Sequence, residues 1–182
     1  VQLPVPVPGS GSWTAQPLGT GKRVDMFALH ERDAFELDVD RYVAFIRSRG
    51  SRVAVLCNPN DPDGSYLPRH EVLRFLDELA DLDLVVVDES FIDHVDAAEA
   101  AIRPNVVVLR SLDASVGMPG VRLGYLVANP GLAATMRRAL PRWNLGALAE
   151  AVVTMLDEHR AEYDESLRLS ARDRFSMGVE LA

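Results

Sequence analysis

Residues 111–124 read Ser111-Leu112-Asp113-Ala114-Ser115-Val116-Gly117-Met118-Pro119-Gly120-Val121-Arg122-Leu123-Gly124, and this stretch decides the fold. It follows Val106-Val107-Val108-Leu109, an uninterrupted apolar run of the kind that makes a strand buried on both faces of a parallel sheet, and it leads into a further strand at 123–128. A loop of glycines, serines and an arginine between two such strands is a place for a ligand. Two more apolar runs upstream end in loops as distinctive. Residues 52–57 end at Asn58-Pro59-Asn60-Asp61-Pro62-Asp63-Gly64, and residues 84–87 at Asp88-Glu89-Ser90-Phe91. Strands ending near Cys57, Asp88 and Arg110 bring all three loops to the carboxyl edge of one sheet, where open α/β sheets hold ligands.

The intervening segments supply the helices. A strand at 24–29, a helix at 39–48 and the strand at 52–57 make β-α-β punctuation, with Gly50 as the helix stop. Pro68 opens the next helix, which runs to about Leu82 and carries Val72, Leu73, Phe75, Leu76, Leu79 and Leu82 as one broad stripe suited to lying on a sheet. Helical patterns follow at 132–140, 145–158 and 161–177, the last with alternating charge that suits a solvated face. Residues 1–20 hold four prolines and the run Gly9-Ser10-Gly11-Ser12, so 1–22 is expected to be an extended lead-in segment.

Composition narrows the function. The 182 residues, 48% hydrophobic, can bury one domain's core. A net charge of -8 argues against nucleic acid or an anionic membrane as the main partner, leaving small molecules or proteins. No run approaches a membrane span, and Cys57, the single cysteine, excludes an internal disulfide and fits a reducing cytoplasm. Of the 19 basic residues 18 are arginine, so Lys22 is the sole side-chain primary amine. Gly19-Thr20-Gly21-Lys22 lacks the rest of a phosphate-binding P-loop, and no G-x-G-x-x-G or G-x-S-x-G follows a strand. His30, His70, His94 and His159 are scattered, which leaves metal chemistry without support.

In order and spacing the three loops resemble the signatures of fold type I pyridoxal-phosphate enzymes, close to histidinol-phosphate aminotransferases and threonine-phosphate decarboxylases. Their pattern reads N-P-N-N-P-T-G, then D-E-A-Y or D-E-S-F, then S-x-S/T-K-x-x-G-x-x-G-x-R-x-G. The resemblance runs from about Val24 onward and takes in Pro141-Arg142-Trp143-Asn144; residues 106–128 with Trp143 and Asn144 look most like aminotransferase halves fused to nucleotidyltransferases. It implies an α/β large domain: a three-layer, mainly parallel sheet flanked by helices, with its core at 23–144 and a helical segment at 145–182 leading toward a small domain. It also implies pyridoxal phosphate as cofactor, a small amino acid as substrate and a homodimer or complementing chain. Asp88 would pair with the protonated ring nitrogen, and Ser111 and Arg122 would grip the phosphate. Asp61 and Phe91 stand at further cofactor contacts, and Gly117, Gly120 and Gly124 would let the backbone pass close to the phosphate.

The departures from that pattern are chemical. Ala114, eight residues before Arg122, holds the position of the family's Schiff-base lysine. Asp61 replaces an asparagine that donates to the cofactor's phenolic oxygen, and an ionised carboxylate only accepts. Phe91 replaces a tyrosine but is shared by the decarboxylase-like members. Asp113 adds a charge beside the phosphate grip, where a like charge about 4 Å away opposes binding by roughly 4 kcal/mol at an effective dielectric of about 20. The family's preceding phosphate loop and its small domain have no counterpart between Val1 and Ala182, so the chain reads as a large-domain core. One expectation is a domain that has lost Schiff-base chemistry and acts noncatalytically within a longer chain or assembly. The other is a fragment or altered form of a true aminotransferase or amino-acid decarboxylase, its substrate phosphorylated or not.

Overall fold

Valine and leucine runs form the centre of the structure, a computed structural model that describes residues 2–7, 9–94, 103–112 and 115–181. In chain order the elements are β1 (Gln2–Val7), α1 (Ser12–Gly19), β2 (Arg23–Ala28), α2 (Val39–Ser48), β3 (Val53–Cys57), α3 (Arg69–Glu78), β4 (Leu84–Asp88), β5 (Val106–Ser111), β6 (Gly124–Ala128), α4 (Pro130–Ala139), α5 (Ala147–Glu158) and α6 (Arg160–Leu181). Strands β3, β4 and β5 pair in parallel and β6 joins antiparallel at the edge, in the order β3-β4-β5-β6. The sheet is thus mainly parallel, as expected.

The lead-in segment is not an extended lead-in. Residues 2–7 form β1, parallel to β2, and residues 12–19 form α1. Proline argues against a central strand because it lacks a ladder donor. Here the prolines alternate. The amide of Leu29 donates to the carbonyl of Val7, so the odd-numbered residues of β1 face β2, while Pro4 and Pro6 present their missing donors to the other side. That side is β3, which β1 touches without forming a ladder, so β1 and β2 make a separate two-stranded sheet. Packing ties them in: Val5 is buried against Val55, Cys57 and Val86.

The alternation of side chains along the strands separates two cores. Ala54, Leu56, Val85, Val87, Val106 and Val108 face α2 and α3, whose Tyr42, Ile46, Phe75 and Leu76 are fully buried against them. The buried Tyr42 hydroxyl offsets its desolvation by donating to the Val55 carbonyl at 2.7 Å. Val55, Cys57 and Val86 face the opposite layer, where Trp13 of α1 packs. Asp38 caps α2 by accepting from the Arg41 amide, and Asn129 caps α4 in the same way from Leu132. Helix α5 seats Ala149 and Val152 on Leu123. Helix α6 has no buried residue, in keeping with its mixed charge.

Candidate functional site

Parallel pairing places the three loops side by side. Asp88, the last residue of β4, is in register with Cys57 of β3 and Leu109 of β5, so its carboxylate emerges where the first and third loops begin. The Asn58 amide donates to the Asp88 carbonyl at 2.9 Å and fastens the first loop to the second. Within the first loop, Asn58 exchanges two hydrogen bonds with the backbone of Leu67, while Asp63 accepts from Asn60 and Ser65. Asp61 is half-buried and near enough to Cys57 to act on its thiol, which burial first, then Asp88 and Asp61, push far above the ordinary range. Cys57 is therefore a neutral, buried thiol.

The Asp88 carboxylate is held on both oxygens. Oδ1 accepts from the amide and the hydroxyl of Ser90, and Oδ2 accepts from the indole Nε1 of Trp13 at 2.6 Å. Among the described residues none of these hydrogen-bond partners is a cation. Trp13 was not among the residues expected at the site, because it lies in the segment read as a lead-in; an aromatic donor just after a Gly/Ser run was the only trace of it in the sequence.

Glu89 turns the other way. It is 3% exposed and takes both Nε and Nη2 of Arg110, at 2.9 and 2.8 Å, an ion pair beneath the loop. Phe91 lies half-buried beyond it. Further along, Asp93 accepts from the hydroxyl of Tyr163, which docks α6 against the second loop.

The third loop closes on itself. Ser111 ends β5 in register with Gly124, and the Leu112 amide donates to the Leu123 carbonyl at 2.9 Å. The two ends of the loop meet there, so Ser111 and Arg122 flank one short closure. Arg122 is exposed and takes a left-handed backbone, φ 54°. Two of the three glycines are required by the backbone of this chain itself. Gly117 has φ +69°, and a Cβ on Gly124 would stand 2.8 Å from the Arg110 carbonyl oxygen. At Gly120 a Cβ would meet nothing within 4 Å, so no close approach within this chain requires a glycine there. Asp113 and Ala114 lie outside the described residues.

Lys22 is exposed in the turn before β2, at the amino ends of β1 and β2, whereas Asp88 stands at the carboxyl end of β4. A cavity of about 400 Å³ opens beside the first loop, lined by Leu29, Glu36, Asn58, Asp63 and Tyr66 among others. It carries acidic but no basic side chains and does not include Asp88, Ser111 or Arg122. Among the described residues no three metal-ligating side chains cluster, and no helix is long and apolar enough to cross a membrane.

Pyridoxal phosphate needs an anionic acceptor for its ring nitrogen and donors for its phosphate. The Asp88 carboxylate, fixed by three donors, fits the first need, and a hydroxyl with a guanidinium fork at one loop closure fits the second. Asp61 remains the residue that suits it least.

The sequence model of the family described as aminotransferase class I and II matches residues 14–174. Among curated proteins, the CMP-5'-(3-aminopropyl)phosphonate synthase of Streptomyces rubellomurinus is 34% identical over 185 residues, covering 98% of this chain and 29% of that protein. A decarboxylase structure from Sulfurospirillum multivorans superposes with a TM-score of 0.83 at 27% identity, covering 96% of this chain and 52% of that one. The histidinol-phosphate aminotransferase of Sinorhizobium meliloti, solved in complex with pyridoxal-5'-phosphate, shares the fold at a TM-score of 0.80 and 23% identity, over 93% of this chain and 46% of that one. The chain thus spans between about a third and a half of the length of these relatives. With three loops in register at one sheet edge and a family match along most of its length, this chain belongs to the class I and II aminotransferases, pyridoxal-phosphate enzymes of fold type I.

Proposed function

We propose that this chain is a large-domain portion that holds pyridoxal phosphate through side chains alone, without a covalent lysine link, and serves as a noncatalytic part of a longer chain or assembly. The observation that carries this reading is the Asp88 carboxylate, fixed by neutral donors on both oxygens at the carboxyl end of β4, while the only lysine precedes β2 at the amino end of that strand. Bound there, pyridoxal phosphate would supply an aldehyde for amines and a ring that draws electrons from a substrate carbon. Asp88 would accept the ring N–H and so favour the protonated nitrogen. Ser111 and Arg122 would donate to the phosphate, Phe91 and Asp61 would border the ring, and Ala114 offers neither an attachment point nor a base to carry a proton from the substrate.

Exposed apolar residues support a partner. Leu140, Trp143, Leu145 and Leu148 are exposed, Trp143 to 95%, where the core at 23–144 passes into the helical segment at 145–182. A second copy or a further domain on that face fits the family's habit of building sites between subunits. A reducing cytoplasm suits the lone buried thiol. A second reading, a piece of an active aminotransferase or decarboxylase acting on a small amino acid, draws support from the fraction of its relatives that the chain spans.

An absorbance titration with pyridoxal phosphate, followed by borohydride reduction and peptide mass mapping, tests the proposal. Reversible uptake with no pyridoxyl group fixed to the unmodified chain, and fixation at position 114 in Ala114→Lys, is the expected result. Uptake by neither protein defeats it; turnover of an amino acid by the unmodified chain would establish the second reading instead.

A further inference from the structure

We propose that Trp13 is a positioning residue for the cofactor's ring nitrogen, acting through Asp88; the inference rests on the cofactor reading above. A carboxylate has about four lone-pair sites. Ser90 fills two on Oδ1 with its amide and hydroxyl, and Trp13 fills one on Oδ2, so among the described residues only Oδ2 retains room for another donor. Trp13 therefore settles which oxygen, and which direction, Asp88 presents to a cationic N–H.

Two features make the indole suited to this. It donates and cannot accept, so it occupies one acceptor site on Oδ2 and never competes for the proton that the ring nitrogen must keep. It is also anchored: its rings pack on the cluster of Val5, Val55, Cys57 and Val86, whose members come from three strands, so the N–H is aimed by the core beneath it. The Gly9–Ser12 run ahead of it allows that reach, since a Cβ on Gly9 would lie 2.4 Å from the Pro6 carbonyl oxygen.

The closing experiment uses the full chain and Trp13→Phe, which keeps most of the apolar packing and removes only the donor. First, without ligand, the Trp13 Nε1–H resonance is assigned by its loss in Trp13→Phe; in Asp88→Asn it should move upfield as the charged acceptor disappears. Second, equilibrium binding is measured for pyridoxal phosphate and for the 1-deaza analogue, in which carbon replaces the ring nitrogen. The unmodified chain should prefer pyridoxal phosphate, and Trp13→Phe should shrink that preference about tenfold while leaving affinity for the analogue nearly unchanged. An indole signal indifferent to Asp88→Asn overturns the inference, and so does equal weakening toward both ligands, the mark of a merely structural role. If the unmodified chain takes up pyridoxal phosphate no better than the analogue, the reading of Asp88 itself falls, and the inference with it.

Discussion

Replacing Glu89 by alanine probes what holds the second loop in place. Glu89 is 3% exposed, and its Oε2 takes both Nε and Nη2 of Arg110, whose side chain is 22% exposed. Burial disfavours the Arg110 charge, yet Glu89 and then Tyr125 outweigh it and hold its pKa above the ordinary arginine value. Without the carboxylate, a half-shielded guanidinium loses its counter-charge. Breaking a fully buried pair costs about 3–5 kcal/mol, and the residual exposure of Arg110 lowers the expectation to about 2–3 kcal/mol. At about 2–4 °C per kcal/mol for a chain of this size, Tm should fall by about 4–12 °C. The Glu89 amide still donates to Leu109, so the strand register should survive and the urea m-value stay unchanged. Circular dichroism during thermal and urea unfolding reads both quantities. A double variant, Glu89→Leu with Arg110→Leu, should recover most of the loss because neither charge remains to be solvated. A Tm drop under about 2 °C for Glu89→Ala, or a double variant as unstable as the sum of its singles, would refute the reasoning.

The glycines give a paired test: Gly124→Ala should cost about 1–3 kcal/mol, since its Cβ meets the Arg110 carbonyl oxygen at 2.8 Å, whereas Gly120→Ala should stay within about 0.5 kcal/mol in the same unfolding assay. Acid should weaken the fold through exposed ion pairs. A hydrogen bond from Arg47 holds the Asp81 carboxyl below the usual range, and Arg103 does the same for Asp77. Because these folded values are depressed, their stabilisation is present above the unfolded value of about 4 and is lost as pH falls through the folded one; Arg47→Met should make that acid limb shallower in urea unfolding measured at several pH values. Cys57, buried and pushed far toward the neutral thiol, should react with a disulfide reagent only as the sheet edge opens, so labelling should accelerate with urea in step with unfolding.

Much of the site was legible because its residues act at strand ends, where pattern and chemistry coincide. The helix expected over 39–48 is α2, Val39–Ser48, and the three loops follow β3, β4 and β5 as the apolar runs required. What escaped depends on relations between distant residues. Proline content argued against β1, and only the parity of Pro4 and Pro6 against the β2 ladder explains how a strand tolerates both. Trp13 escaped for the same reason, as nothing in a local pattern says that residue 13 will meet residue 88.

The charges around the site show what spacing alone conceals. Four acidic residues, Asp61, Asp63, Asp88 and Glu89, crowd two adjacent loops, and by sequence they look like one block hostile to an anionic cofactor. The structure divides them. Glu89 is neutralised by Arg110 below the loop, and Asp63 is bound up with Asn60 and Ser65 inside the first loop. Asp61, Asp63 and Asp88 have no cation against them among the described residues, and of these Asp88 alone is aimed by donors on both its oxygens, since Asp63 is held through Oδ1 only. An acceptor oriented in this way suits a cationic ring nitrogen, while the arginine and hydroxyl at the far closure suit the phosphate at the other end of the same molecule. On the proposed reading, this separation of charge would let a net negative site discriminate by position. It predicts that Asp61→Asn strengthens binding of pyridoxal phosphate and Asp88→Asn weakens it, although the two substitutions remove the same charge. Equal effects in a binding titration would mean that net charge alone governs affinity.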